Sequence, residues 1–127
     1  MLGRDLAIQL APRHQVLPLT RAAADITDAR KVTKAIDDNL TDVVIHAAAF
    51  TAVDECERQP DVAFQVNSEG TRHVVLACRQ ASVPMLYIST DYVFDGRKPS
   101  PYFEVDEPNP INVYGRSKLE EIGRAHV

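Results

Sequence analysis

Tyr114-Gly115-Arg116-Ser117-Lys118 sets a phenol and an ammonium four positions apart. On a helix such a pair shares one face. A nearby ammonium stabilises phenolate and lowers the tyrosine pKa, so the phenol can trade a proton with a carbonyl or an alcohol near neutral pH. A solvated surface pair is the plain alternative, and the motif alone is weak. Ser89 and Thr90 follow an apolar run that reads as a strand. A hydroxyl at a strand's carboxyl end can donate to a carbonyl oxygen and polarise it. The competing use is an ST-turn that ends the strand. Ala47-Ala48-Ala49-Phe50-Thr51 follow another such run, where small residues let the backbone approach a flat ligand; plain helix–sheet packing is the alternative. Asn67, in a mostly apolar helical stretch, can hydrogen-bond the loop after a neighbouring strand or make a structural polar contact.

The elements that must position these groups follow from periodicity. Leu2 to Leu10 is apolar at 2, 6, 7 and 10, a helical stripe. Val16–Leu19, after the turn-like Pro12-Arg13-His14, reads as a short strand. Asp25-Ile26-Thr27-Asp28 supplies helix-start chemistry, with Thr27 expected as the N-cap of a helix through Val32, Ile36 and Leu40. Asp42–Ala47 and Val83–Ser89 are continuous apolar runs of the kind buried on both faces of a sheet. Pro60 opens a helix whose stripe Val62, Val66, Gly70, Val74 and Ala77 carries it to about residue 80. A Pro-rich polar loop spans Asp95–Pro110, and a last helix starts near Asn112. Strands alternating with helices predict a parallel sheet of right-handed crossovers. Ligands of such sheets bind beyond the carboxyl ends of the strands, here after Leu19, Ala47 and Ser89.

Composition excludes several classes. The 127 residues carry 14 Lys+Arg against 18 Asp+Glu, a net charge of −4, which is no electrostatic footprint for nucleic acid or an anionic membrane. With 45% hydrophobic and 25% charged residues the chain reads as globular, not disordered. No apolar run approaches the roughly 20 residues of a membrane span, and Met1–Leu6 does not read as a signal peptide. Cys56 and Cys78 are expected to be free thiols in a reducing, cytoplasmic setting. No metal site is expected.

Taken in order, these features resemble the extended short-chain dehydrogenase/reductases: a strand, an Ala-rich turn, Asn in the next helix, Ser-Thr at the next strand end, then Tyr-x-x-x-Lys. Within them the chain is similar to the dTDP-4-dehydrorhamnose reductases. The carrying blocks are Asp25-Ile26-Thr27, the run from His46 to Glu57, Ile88-Ser89-Thr90-Asp91-Tyr92-Val93-Phe94-Asp95-Gly96, and the run from Asn109 to Glu120. The resemblance implies a Rossmann-like α/β fold with a doubly wound parallel sheet. It also implies NAD(P)H-dependent reduction of the C4 keto group of dTDP-4-dehydro-L-rhamnose to dTDP-L-rhamnose. Tyr114 is then the proton donor, and Lys118 holds the nicotinamide ribose and tunes Tyr114. Thr90 orients the keto oxygen, and Asp91 contacts the sugar nucleotide. Asp25 and Ile26 flank the adenine, and Ala48, Ala49 and Thr51 line the cofactor path. Arg21 stands where many relatives carry an acidic residue for the ribose 2′-hydroxyl, which favours NADPH over NADH.

The chain also departs from the pattern. Of the glycine-rich turn that seats a pyrophosphate on a helix N-terminus, only the tail is recognisable, with Gly3 as its last glycine. Met1 is expected to be an internal methionine, and the first strand to be absent from between the strands at 16–19 and 84–88. Residues 1–120 then form a partial NAD(P)-binding domain. Residues 121–127 read as a translated sequencing-adapter oligonucleotide, a non-native tail. The 127-residue piece is expected to be inactive by itself, and the full-length parent to be a homodimer. Two other readings stay open. One is a reductase or epimerase of another nucleotide sugar. The other is a non-catalytic regulator resembling the β subunit of methionine adenosyltransferase.

Overall fold

The computed structural model describes the backbone of residues 2–125 and the side chains of residues 2–120. Met1 and the expected tail lie outside these residues, apart from the backbone of the last helix as far as Ala125.

Helix α1 covers Leu2–Leu10, as its stripe predicts, but buries no residue. A Cβ built on Gly3 would stand 3.8 Å from the Ala47 Cβ, so the start of α1 lies against the turn after the first strand. Val16–Leu19 forms no strand, a departure from expectation. A strand is completed by the neighbour that takes its hydrogen bonds, and among the described residues the sheet has only two strands, neither pairing with this run. Helix α2 covers Ala29–Asp37, and its N-cap is Asp28 instead of Thr27. Asp28 Oδ1 accepts from the backbone N–H groups of Arg30 (3.1 Å) and Lys31 (3.3 Å), as a good cap does. The Thr27 hydroxyl is already used, donating to Asp25 Oδ1 at 2.8 Å. Leu40 falls outside α2, left-handed at φ +47 and 91% exposed, so the predicted stripe ends one turn early.

Strands β1 (Val44–His46) and β2 (Met85–Tyr87) pair in parallel, with Val44 opposite Met85, Ile45 opposite Leu86 and His46 opposite Tyr87. They are direct neighbours, which overturns the order 3-2-1-4 counted along the chain from the absent first strand, since that order would set the strand at 16–19 and the absent strand between them. A right-handed helical crossover between consecutive parallel strands sets them side by side. Both strands are shorter than the apolar runs that announced them, and only one face is covered. Val44 and Met85 pack on Val32 and Ile36 of α2 and on Val74, Ala77 and Cys78 of the crossover. Ile45 and Leu86, on the opposite face, stay exposed, so the expectation of burial on both sides fails among the described residues.

The crossover is a short helix α3 (Val53–Arg58), then one helical rod made of α4 (Pro60–Phe64), a π-helical segment (Gln65–Gly70) and α5 (Thr71–Ala81). Of the predicted stripe, Gly70, Val74 and Ala77 are buried and Val66 is half-buried, while Val62 is exposed; Ala63, Asn67, Ser68, Thr71, Val75 and Cys78 complete the buried face. A Cβ on Gly70 would meet Ile26 Cγ1 at 2.8 Å, so glycine there admits the Asp25–Thr27 segment. After β2 comes a 3-10 turn (Asp91–Val93). The Asp95–Pro110 loop that follows is ordered around two carboxylates, Asp95 and Asp106, the latter accepting from Phe103 N (2.7 Å) and Lys98 Nζ. Asp95 accepts from Arg97 N (3.0 Å), the Tyr102 hydroxyl (2.9 Å) and Asn109 Nδ2 (3.0 Å), while Tyr102 stacks on Phe94. Helix α6 (Val113–Ala125) closes the described chain. The parallel β-α-β unit is the arrangement that strand–helix alternation predicts and fits the Rossmann-like α/β class that the resemblance implies, with two strands among the described residues.

Candidate active site

Helix α6 carries the Tyr-x-x-x-Lys pair, and two residues fix where it starts. Asn112 Oδ1 accepts from Gly115 N at 2.7 Å, and Glu57 Oε1, reaching across from α3, accepts from Val113 N at 2.6 Å. Both satisfy N–H groups that a first turn leaves without helical partners. Gly115 then lets the 3-10 turn approach, since a Cβ there would fall 2.1 Å from the Tyr92 carbonyl oxygen. This close contact brings Thr90, Asp91 and Tyr92 against Tyr114. The Tyr92 and Tyr114 rings meet edge to face at 5.5 Å.

Tyr114 is buried among Cys56, Ala63 and Val113. Burial pushes its phenol above the ordinary tyrosine pKa; a hydrogen bond with Thr90 pulls the other way, and Cys56, Asp91 and Tyr92 add to the rise. The expected lowering by Lys118 is not found: burial is the largest influence on the phenol, and Lys118 is not among the groups that shift it. Lys118 is 2% exposed. Its Nζ donates to the Ile88 carbonyl at 2.9 Å and stands 4.0 Å above the Tyr87 ring. Burial lowers its pKa to about 8. Tyr87 in turn stacks on His46, with ring centroids 5.4 Å apart, and His46 Nε2 is 3.0 Å from the Thr71 hydroxyl. Burial, then the charge of Lys118, pushes the His46 pKa down to about 4, so this imidazole is neutral at pH 7.

Asn67 ties the two strand ends to α6. Its Oδ1 accepts from Phe50 N at 2.7 Å, and its Nδ2 donates to Phe50 O and to Ser117 Oγ, both at 3.0 Å. Ser117 Oγ donates onward to Tyr114 O at 2.8 Å. The bond to the loop after β1 is the one Asn67's position anticipates. Ser117 and Glu57 were not singled out by sequence reasoning. Both lie inside the motif blocks, but a serine between Tyr and Lys, or one acid in an acidic helix, carries no local mark of a partner 50 or more residues away.

Thr90 fills one of the uses foreseen for it, the turn that ends the strand. Its Oγ1 accepts from Tyr92 N (3.3 Å), which caps the 3-10 turn, and donates to Asp91 Oδ1 (3.3 Å) beside Tyr114. Asp91 itself is exposed. At the end of β1, Ala48 and Thr51 are exposed and Ala49 is half-buried. Arg21 and Asp25 form a local pair at 2.9 Å, with the Arg21 side chain 83% exposed. The Thr27 backbone N–H, then Arg21 and the Thr27 hydroxyl, hold the Asp25 carboxyl down to about 2. Ile26 packs on Gly70, and its carbonyl meets His73 Nδ1 at 2.8 Å. Thus Tyr114, Lys118, Thr90 and Asp91 gather at the carboxyl end of β2, Ala48–Thr51 flank the end of β1, and Arg21–Ile26 form a separate segment docked on α5.

Known proteins share this sequence and this fold. A dTDP-4-dehydrorhamnose reductase of Sinorhizobium fredii is 44% identical over 115 residues, 91% of this chain and 39% of that protein. A dTDP-4-keto-6-deoxy-D-glucose reductase of Streptomyces niveus is 40% identical over 119 residues, 93% of this chain and 41% of that one. The crystal structure of the dTDP-4-dehydrorhamnose reductase of Bacillus anthracis in complex with NADP superposes with a TM-score of 0.94. It is 36% identical, with 98% of this chain and 45% of that chain covered. The chain thus spans about two fifths of the length of the curated relatives it matches. The family model described as the RmlD substrate binding domain matches residues 1–122, and the chain belongs to that family.

Proposed function

We propose that these residues form the cofactor-binding part of an NAD(P)H-dependent reductase that converts the C4 keto group of dTDP-4-dehydro-L-rhamnose to the alcohol of dTDP-L-rhamnose. The observation that carries this reading is the meeting of Tyr114, Thr90 and Lys118 at the carboxyl end of β2. The Sinorhizobium relative and the NADP complex of the Bacillus enzyme support it. The residues present fit a nicotinamide dinucleotide. Ala48, Ala49 and Thr51 are small and leave the turn after β1 approachable, Lys118 offers an ammonium, and the exposed Arg21 guanidinium suits a 2′-phosphate, favouring NADPH. That cofactor supplies the hydride.

The protein's own part is protonation and orientation. Tyr114 gives its proton to the oxygen that becomes the C4 hydroxyl, and its raised pKa keeps that proton in place until it is needed. Thr90 orients the keto oxygen by turning its single hydroxyl proton from Asp91 to that oxygen, and Asp91 contacts the sugar nucleotide. Lys118 holds the nicotinamide ribose. Gly3, Asp25 and Ile26 serve the pyrophosphate and adenine. The same reading has the whole enzyme act as a homodimer in the cytoplasm without a nucleic-acid partner, in keeping with a net charge of −4.

A second reading, another 4-keto nucleotide sugar as substrate, is favoured by the Streptomyces relative. The test is NADPH oxidation by a full-length enzyme carrying these residues, offered each dTDP-4-keto sugar in turn. Turnover is expected with dTDP-4-dehydro-L-rhamnose, with a loss of about 100-fold or more in kcat for Tyr114→Phe. Turnover only with another keto sugar would select the second reading, and an unimpaired Tyr114→Phe would remove the catalytic assignment.

A further inference from the structure

Lys118 is a buried ammonium with little to hold it. Its Nζ has one carbonyl acceptor, Ile88 O, and among the described residues no carboxylate forms an ion pair with it. A charge taken out of water without an ion partner is costly and tends to shed its proton. What does face it is an aromatic ring. The Tyr87 centroid lies 4.0 Å from Nζ, well inside the range of about 6 Å over which a ring's negative face attracts a cation. That ring is itself held. It lies directly opposite His46 in the parallel register and stacks on it at an interplanar angle of 24°. His46 is fixed by Thr71 on α5.

We propose that Tyr87 is a positioning residue for the reaction, its ring face holding the Lys118 ammonium in place and in its cationic form, with His46 and Thr71 as the backing that keeps the ring square to it. The inference rests on the reductase reading for its functional consequence but not for its geometry. The titratable groups around the ammonium are Tyr87 on β2, His46 behind it on β1 and Tyr114 one turn earlier on α6. His46 is neutral at pH 7 and therefore adds no competing cation there. Asn67 and Thr71, from the crossover helices, do not titrate.

The test compares Tyr87→Phe, which keeps the ring face, with Tyr87→Leu, which removes it. Because leucine also changes sheet packing, a third arm makes the Tyr87→Phe substitution with a tetrafluorinated phenylalanine, which keeps the shape and cancels the negative face. In the full-length protein, the titration of Lys118 is followed by its Cε carbon NMR shift, assigned by loss of the signal in Lys118→Met. The midpoint is expected to be unchanged in Tyr87→Phe and lower by about one pH unit in the other two arms, a tenfold change in proton affinity. The alkaline limb of kcat/KM should move with it, since that ratio reports the free enzyme. Equal midpoints in Tyr87→Phe and its fluorinated counterpart would overturn the inference. If no keto sugar is reduced by the unmodified enzyme, the reductase reading fails while the NMR midpoints still decide the role of Tyr87.

Discussion

Two regions expected to serve one cofactor are built in opposite ways. The region around Tyr114 is held by bonds between residues far apart in sequence: Asn67 to Phe50, Asn67 to Ser117, Glu57 to Val113 and Lys118 to Ile88. Most of these groups are buried. The Arg21–Thr27 segment is held mainly by neighbours two or four residues away, with Arg21 largely in water. Its tertiary anchors are Ile26 on Gly70 and His73. Proton transfer needs reacting atoms fixed within fractions of an ångström. A cation meeting a phosphate at the surface needs little more than the right sign in reach. The difference in construction follows the difference in tolerance.

Four experiments break or sharpen this contrast, the first with the largest effect. Gly115→Ala forces a Cβ onto the Tyr92 carbonyl and should cost about 5 kcal/mol or prevent folding, read by chemical denaturation. Asn67→Ala leaves both polar groups of Phe50 without their partner and should cost about 4 kcal/mol, with kcat falling more than KM rises. Third comes acid. His46 has a folded pKa near 4 against 6.5, so between those values the unfolded chain binds more protons than the folded one. Stability is complete above about pH 6.5 and falls as pH drops, by about 3 kcal/mol at pH 4. Denaturation curves of His46→Gln should be flatter across that window, and identical slopes would refute the assignment. Smallest is Arg21→Ala. Its pair with Asp25 is exposed, so the melting temperature should not change. The KM for NADPH should rise about tenfold with the KM for NADH unmoved, the loss of one charged contact; a parallel rise in both would detach Arg21 from the 2′-phosphate.

Much of the fold and site was legible because it is local. Helix α1, the helix after Asp28, the apolar cores of β1 and β2 and the Tyr114–Lys118 pair can each be read within a dozen residues. The failures come where distant parts decide. Val16–Leu19 has a strand's composition, but composition does not supply a partner for its hydrogen bonds. Thr27 and Asp28 are both good caps, and the choice fell to Asp28 once Asp25 had taken the Thr27 hydroxyl. The pKa of Tyr114 moved against expectation because Lys118 is visible four residues along, whereas the burial that dominates comes from Cys56, Ala63 and Val113 folding over the ring. The partners of Asn67 lie 17 and 50 residues away.

The π-helical segment at Gln65–Gly70 acts as a phase shifter. The rod it interrupts serves two separate interiors: Ala63 of α4 faces the Tyr114 cluster, while Val74, Ala77 and Cys78 of α5 face the sheet and α2. A helix of uniform pitch advances about 100° per residue, so its two ends keep one fixed angular relation. The wider turn resets that relation midway and leaves Asn67 aimed at Phe50 and Ser117. Removing a single residue from this turn would swing one end by about a quarter of a revolution. The chain could then keep the hydrophobic seat of the sheet or the clamp behind Tyr114, but not both.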